Sequence, residues 1–170
     1  MPLRPPYVAG TFYPADADSL RRFCEEHLKT SSHPVSARAV ILPHAGYIYS
    51  GKTAGLVLSK VHVPTKIFLI GPNHRGFGSP FAVAARGKWE TPLGQVSIDS
   101  DLASRLLESS HDLTNDEQAH IPEHSLEVEI PFLQTKNPKI EITPLIVGTL
   151  NLNQAREAAI AIGDFLASLK

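Results

Sequence analysis

Two stretches decide the fold: Ala39-Val40-Ile41-Leu42-Pro43-His44 and Ile67-Phe68-Leu69-Ile70-Gly71-Pro72-Asn73-His74. Each is a short, continuous apolar run closed by proline or glycine-proline, of a length that suits a strand. Such runs predict strands buried on both faces of a parallel sheet. Between them, about Gly51 to Val61 reads as a helix, and strand, helix, strand is the order of a parallel crossover. Each run then delivers a histidine just past its carboxyl end. Ligands of open parallel sheets bind in the crevice beyond those ends, so the predicted fold alone places His44 and His74 at one candidate site.

Working outward, Asp16 to Lys29 puts Leu20, Phe23, Cys24 and Leu28 on one helical stripe, with Asp16 or Asp18 available as N-cap. Phe81–Arg86 and Gln95–Ile98 are expected to pair as a hairpin around Thr91-Pro92-Leu93-Gly94, and Asp99 to cap a helix reaching Leu107. Ile140 to Val147 reads as a strand in which Pro144 hints at an edge or a bulge. From Asn151, a capping box with Gln154 opens a helix whose stripe is Leu152, Ala155, Ala159, Ile162, Leu166 and Leu169. The expected fold is α/β, a mostly parallel central sheet flanked by helices. A helix of this last kind normally leads into another buried strand, so the single domain 1–170 reads as truncated at its C-terminus.

Composition excludes several function classes. Sixteen basic residues against seventeen acidic ones, with no basic run, give no nucleic-acid footprint. No signal region opens the chain, and no stretch approaches the roughly 18 apolar residues of a spanning helix. One cysteine, Cys24, permits no internal disulfide and points to a cytoplasmic protein. The oligomeric state is not legible.

Three polar clusters carry the chemistry. Pro43-His44-Ala45-Gly46-Tyr47 and Gly71-Pro72-Asn73-His74-Arg75-Gly76 occupy equivalent positions after successive strands. Neutral imidazoles are common ligands of zinc, copper and iron, and a pair from adjacent strand ends can converge on one ion. Tyr47, Asn73 and Arg75 are candidates for the same pocket, Arg75 as the receiver of an anionic group. The third cluster is Glu123-His124-Ser125-Leu126-Glu127-Val128-Glu129-Ile130-Pro131. On a helix, Glu127 lies one turn after His124 and could orient its imidazole for proton transfer, making His124 and Glu127 the catalytic candidates. Equally, the pair fits a solvated helix start. His27, His33, His62, His111 and His120 are expected in exposed faces or polar loops. Neither Ser50 nor Ser125 sits in a G-x-S-x-G elbow, and Cys24 falls on a packing stripe, so covalent catalysis is disfavoured. Neither G-x-G-x-x-G nor a P-loop is present.

Taken in this order, Ala9-Gly10-Thr11-Phe12-Tyr13-Pro14, Pro43-His44-Ala45-Gly46-Tyr47, Gly71-Pro72-Asn73-His74, Thr91-Pro92-Leu93-Gly94 and Glu123-His124-Ser125-Leu126-Glu127 resemble the Memo family over essentially the whole chain. That family is similar in fold to class III extradiol ring-cleaving dioxygenases. The resemblance implies His44 and His74 as ligands of a divalent metal, iron or copper, and His124 as a pocket residue for acid-base work. It also implies a dioxygenase-like or redox activity or, as the alternative, a non-catalytic module for a phosphorylated peptide or another anionic ligand. Family members continue past this length with a further strand and a late third ligand, neither of which occurs in this sequence.

Overall fold

The computed structural model describes residues 2–29 and 33–169. In chain order its elements are β1 (Leu3–Arg4), α1 (Ala17–His27), α2 (Tyr47–Ser59), β2 (Lys66–Pro72), β3 (Phe81–Val83), β4 (Lys88–Thr91), β5 (Gly94–Ile98), α3 (Ser100–Glu108), β6 (Thr114–Asn115), α4 (Glu117–His120), α5 (Ile130–Lys136), β7 (Glu141–Val147) and α6 (Leu152–Ser168), with a 3-10 turn at Glu127–Glu129 leading into α5. The seven strands form one mixed sheet flanked by helices. β1–β4, β2–β7, β3–β6 and β5–β7 are parallel pairs, and β3–β7 and β4–β5 are antiparallel.

β7 is the centre of the sheet. One edge pairs with β2 from Glu141 to Val147, and the other pairs with β5 at Glu141–Ile142 and with β3 at Leu145–Val147. The proline that suggested an edge therefore lies in the most interior strand. Pro144 falls between the β5 and β3 ladders, where its missing N–H breaks no bond, and its carbonyl accepts from the Ala84 N–H at 3.3 Å. Ile142, Leu145 and Ile146 are fully buried, as are Leu58, Ile130 and Phe132 of the same hydrophobic core.

The helices form as their caps and stripes require. Asp16 accepts from the Ser19 N–H at 2.9 Å, Asp99 accepts from the Leu102 N–H at 3.1 Å, and Asn151 and Gln154 complete the capping box of α6. Leu20 and Cys24 turn fully inward from α1, so Cys24 behaves as a small hydrophobe. α2 lies close against α1 because Gly51 and Gly55 carry no side chain; a Cβ would come within 2.7 Å of the Phe23 ring at Gly51 and 2.6 Å of His27 Cβ at Gly55.

Four expectations are corrected. Ala39–Leu42 is not a buried strand: among the described residues its backbone pairs with no strand of the sheet, and with nothing packed over it Ile41 is 95% exposed. The hairpin pairs β4, not Phe81–Arg86, with β5, and Phe81–Val83 joins β7 instead. The stripe of α6 is rotated: Ala158, Ile162 and Phe165, spaced one turn apart on a single face, are buried while Leu152 at the first turn is exposed. His120 is not solvated but 1% exposed, with its Nε2 3.0 Å from the Ala82 carbonyl and its ring edge-on to Trp89.

Candidate metal centre

The site assembles from three loops. His44 ends the irregular segment 37–44, two residues before the Gly46 N-cap of α2. His74 follows β2 in a turn organised by Asn73, whose Oδ1 accepts from the Arg75 and Gly76 N–H groups at 3.1 and 3.0 Å and whose Nδ2 donates to the Phe77 carbonyl at 2.7 Å. The turn passes through Gly76 at φ +64°, a left-handed conformation that favours glycine. His124 sits in the segment after α4, and Ser125 ties that segment to β2 by donating to the Pro72 carbonyl at 2.8 Å. Gly71 allows this approach, since a Cβ there would lie 2.7 Å from Leu126 and 2.9 Å from Ser125 Oγ.

Three imidazoles meet as a result. Ring centres are 4.6 Å apart for His74 and His124, 5.2 Å for His44 and His74, and 6.1 Å for His44 and His124. Metal–nitrogen bonds of about 2.1 Å put two imidazoles on one ion with ring centres roughly 4.5–5.5 Å apart. The two shorter separations match that range, and His44 stands slightly further out. Phe12 packs on the His124 ring at 4.6 Å.

Behind the rings lies Glu123, 2% exposed. Its Oε1 lies 2.9 Å from His74 Nδ1 and accepts from the His124 and Ser125 N–H groups at 2.9 Å each, while its Oε2 accepts from the His74 N–H at 2.6 Å. Burial by itself would raise its pKa, but the hydrogen bonds from the His74 ring and from the Ser125 and His74 amides bring it down to about 2. An ionised acceptor at Nδ1 assigns the proton there and presents Nε2 to the site. His74, Glu123 and His124 have ligand atoms all within 4.8 Å of one another and could hold a metal ion. Since Glu123 already receives four hydrogen bonds, its chemistry suits orientation of His74 better than direct ligation. His124 Nδ1 is buried without a hydrogen bond, 3.4 Å from Glu123 Oε1, an unsatisfied donor-acceptor beside two other imidazoles. Burial lowers the pKa of His44, with the nearby His74 adding to it, and burial likewise lowers that of His124 against the pull of Glu123. Both rings are thereby kept in the neutral form that binds metals. The donor set fits a borderline transition metal.

Two expected pocket residues face elsewhere. Tyr47 is 5% exposed and packs on Phe23 and Phe132, donating its hydroxyl to the Val128 carbonyl at 2.8 Å. Glu127 does not pair with His124, because residues 124–127 do not continue as a regular α-helix. It is fully buried and turns to the N-terminal segment, where it accepts from the Tyr7 and Val8 N–H groups and the Tyr13 hydroxyl at 3.0, 3.0 and 2.7 Å and pairs with Arg4 at 2.7 Å. Arg75 stays at the mouth, its Nε donating to the Pro122 carbonyl at 3.2 Å and its guanidinium 5.7 Å from the centre of the Tyr7 ring. Glu123 and Phe12 went unrecognised in the sequence. The signal for Glu123 was its adjacency to His124, outweighed by the apparent one-turn spacing of Glu127.

The buried titratable groups set a pH dependence. His120, pushed down to about 4 by burial, stays neutral in the fold, so it adds stability that is lost as pH falls below about 6.5; His44 and His124 act in the same direction. Glu129 has no partner for either carboxylate oxygen among the described residues and is pushed up to about 8 by burial, so it subtracts stability as pH rises from about 4.5 to 8. The slopes of His120 and Glu129 are each about 1.4 kcal/mol per pH unit, and they oppose each other below 6.5. Denaturant unfolding of metal-free protein should therefore show a broad plateau or gentle rise between pH 4.5 and 6.5 and a fall of about 2 kcal/mol from 6.5 to 8. Glu129→Gln should flatten the upper limb; a variant that keeps it would assign that limb to another group.

An α/β sheet with a histidine and carboxylate cluster that could hold a metal, gathered where β2 ends, defines the class of protein. Comparison with known sequences makes this particular: the Memo family profile, described as Memo-like protein, matches residues 4–169, and the chain belongs to that family. It is 41% identical to a MEMO1 family protein of Aquifex aeolicus, with 98% of this chain and 62% of that protein covered. It is 38% identical to MEMO1 family proteins of Methanopyrus kandleri and Pyrobaculum arsenaticum, over 98% and 95% of this chain and 64% and 62% of theirs. The chain thus spans a little under two-thirds of these relatives' length. Among the described residues, no helix is long and apolar enough to cross a membrane.

Proposed function

We propose that this chain is a metal-binding protein in which His44 and His74 ligate a divalent first-row metal, iron or copper, with His124 beside them as the proton-handling group. The observation that carries the reading is the meeting of three imidazoles over one buried, ionised carboxylate. When bound, such a metal supplies Lewis-acid or one-electron chemistry suited to a diol-like or phenolic substrate and oxygen. Glu123 holds the His74 ring with Nε2 forward, Asn73 fixes the turn that carries it, and Phe12 backs the His124 ring. His124 stays neutral in the fold and can accept a proton from a hydroxyl delivered to its exposed edge. Anaerobic loading with Fe(II) or Cu(II), read by elemental analysis, should give about one ion per chain, reduced below about 0.2 in His44→Ala and His74→Ala. Unchanged stoichiometry in both variants would remove the site. Saturation at about 100 times Kd should also raise folding stability by about 2.7 kcal/mol.

A second reading, a binding module for a phosphorylated peptide, rests on Arg75 at the mouth of the same pocket. The loop amides that would cradle an anion are taken, since the Arg75 and Gly76 N–H groups donate to Asn73. Arg75 is then the main cation for a phosphate, and saturable binding of free phosphotyrosine abolished by Arg75→Ala is what this reading requires.

A further inference from the structure

β1 faces the opposite way from what its side chains suggest. Leu3 is 46% exposed and Arg4 only 7%, so the fold takes in the cation and leaves the leucine to solvent. Arginine is almost never buried without partners, because a charge away from water is costly unless it is paired and hydrogen-bonded. Parallel pairing with β4 sets Arg4 beside Trp89, and the guanidinium carbon lies 4.3 Å over the centre of that ring. From there Nη2 pairs with Glu127 Oε2 at 2.7 Å. That ion pair requires only a positive point, which a lysine ammonium also provides.

The rest of the guanidinium fork has a different target. Nε donates to the His120 carbonyl at 2.8 Å, and Nη2 donates to the Glu123 and Ile121 carbonyls at 2.7 and 3.3 Å. Ile121 and Glu123 lie between the end of α4 and the 3-10 turn, where the chain has no helix or strand of its own. Among the described residues neither of their carbonyls accepts a backbone N–H. Arg4 thus supplies donors that regular structure supplies elsewhere. Pro122, between them, gives its carbonyl to Arg75, the neighbour of His74. The stretch held in this way is the one that carries Glu123 and His124.

We propose that Arg4 is a positioning residue of the metal site: its guanidinium fixes the main chain at residues 120–123, so that the Glu123 carboxylate meets the His74 ring and His124 stands beside it. The inference rests on the metal-binding reading. Arg4 makes no hydrogen bond to His44, His74 or His124 among the described residues and acts through Glu123. Its fork grips the Glu123 carbonyl, while the Glu123 side chain receives the His74 amide at 2.6 Å and meets the His74 ring at 2.9 Å. His124 is the next residue, stacked on His74 with ring centres 4.6 Å apart. A shift of the main chain at Glu123 therefore moves the acceptor behind one ring and the backbone of the other together. Only a planar group with several fixed donors spans these carbonyls and Glu127 at once, which explains why the buried cation is arginine.

Three variants separate this role from plain support of the fold. Glu127→Gln removes the ion pair and leaves the bonds from Arg4 to the carbonyls. Arg4→Lys keeps a cation for Glu127 but cannot span the carbonyls. Arg4→Gln combined with Glu127→Gln strands no buried charge, and it carries the test if Arg4→Lys does not fold. Two readouts are compared: the ratio of Nδ1–H to Nε2–H tautomer of the His74 ring in metal-free protein, from 15N shifts, and the Fe(II) dissociation constant, from competition against a chelator. Glu127→Gln should stay within twofold of the parent in both. Arg4→Lys and the double variant should each lower the tautomer ratio at least tenfold and weaken Fe(II) binding at least tenfold, the scale of effect when the group behind a ligating histidine is disturbed. A tautomer ratio within twofold of the parent in both Arg4 variants overturns the proposal, as does an equal loss in Glu127→Gln. A parent that binds no Fe(II) removes the metal reading, and the tautomer ratio then decides by itself whether Arg4 sets Glu123 against His74.

Discussion

Glu127→Ala should destabilise the fold by about 3–5 kcal/mol, the cost of removing one partner from a buried, hydrogen-bonded ion pair. The carboxylate is fully buried and serves as the common acceptor for the Tyr7 and Val8 amides, the Tyr13 hydroxyl and Arg4. Its loss strands a guanidinium that is itself 7% exposed, although Arg4 keeps its bonds to the His120 and Glu123 carbonyls at 2.8 and 2.7 Å. Glu127→Gln keeps one acceptor oxygen and should lose about half as much. Equilibrium urea unfolding measures both. The side-chain titration of His124, followed by NMR in Glu127→Gln, should be unmoved, because Glu127 shares no contact with that ring; a displaced titration would restore a role for Glu127 in the pocket. The consequence for the site is indirect. Residues 4–13 carry Phe12 onto the His124 ring, so the Glu127 network holds in place the segment that backs the site.

Glu123→Gln should weaken metal binding about 10–100-fold, the usual effect of losing the group that orients a ligating histidine. Glutamine offers one acceptor oxygen where the carboxylate offers two, and its NH2 group would oppose the amides and the His74 Nδ1–H that now donate to Glu123. The substitution should also cost about 2–4 kcal/mol of stability, since at least one buried N–H loses its acceptor. Competition against a chelator of known affinity gives the metal constant, and 15N shifts of the His74 ring report its tautomer. A metal constant within twofold of the parent, with the ring tautomer unchanged, would show that Glu123 has no hold on the site.

Much of the architecture was legible because it is locally encoded. Asp16, Asp99 and the Asn151–Gln154 box satisfy helix-end amides within three residues, so the starts of α1, α3 and α6 could be read directly. The apolar run Ile67–Ile70 is a strand, and β7 was found despite Pro144. The errors of strand pairing share one cause. Strand pairing depends on neighbours far along the chain, so the partner of Phe81–Val83 and the interior place of Pro144 followed from the β2, β3 and β5 ladders on β7, which no local pattern states. The burial of His120 under Trp89 is of the same kind.

The sequence by itself determined the caps, the apolar runs, the family-bearing clusters and the position of His44 and His74 where such runs end, because each depends on residues a few places apart. Only the tertiary structure decided which carboxylate serves which partner. A one-turn spacing offered Glu127 to His124, but the chain turns in 3-10 fashion there and sends Glu127 to Arg4, Tyr7, Val8 and Tyr13, while Glu123 takes His74 from 49 residues away. A buried charge goes to the donors that the folded backbone brings within about 3 Å, and those donors become neighbours only after the sheet has formed.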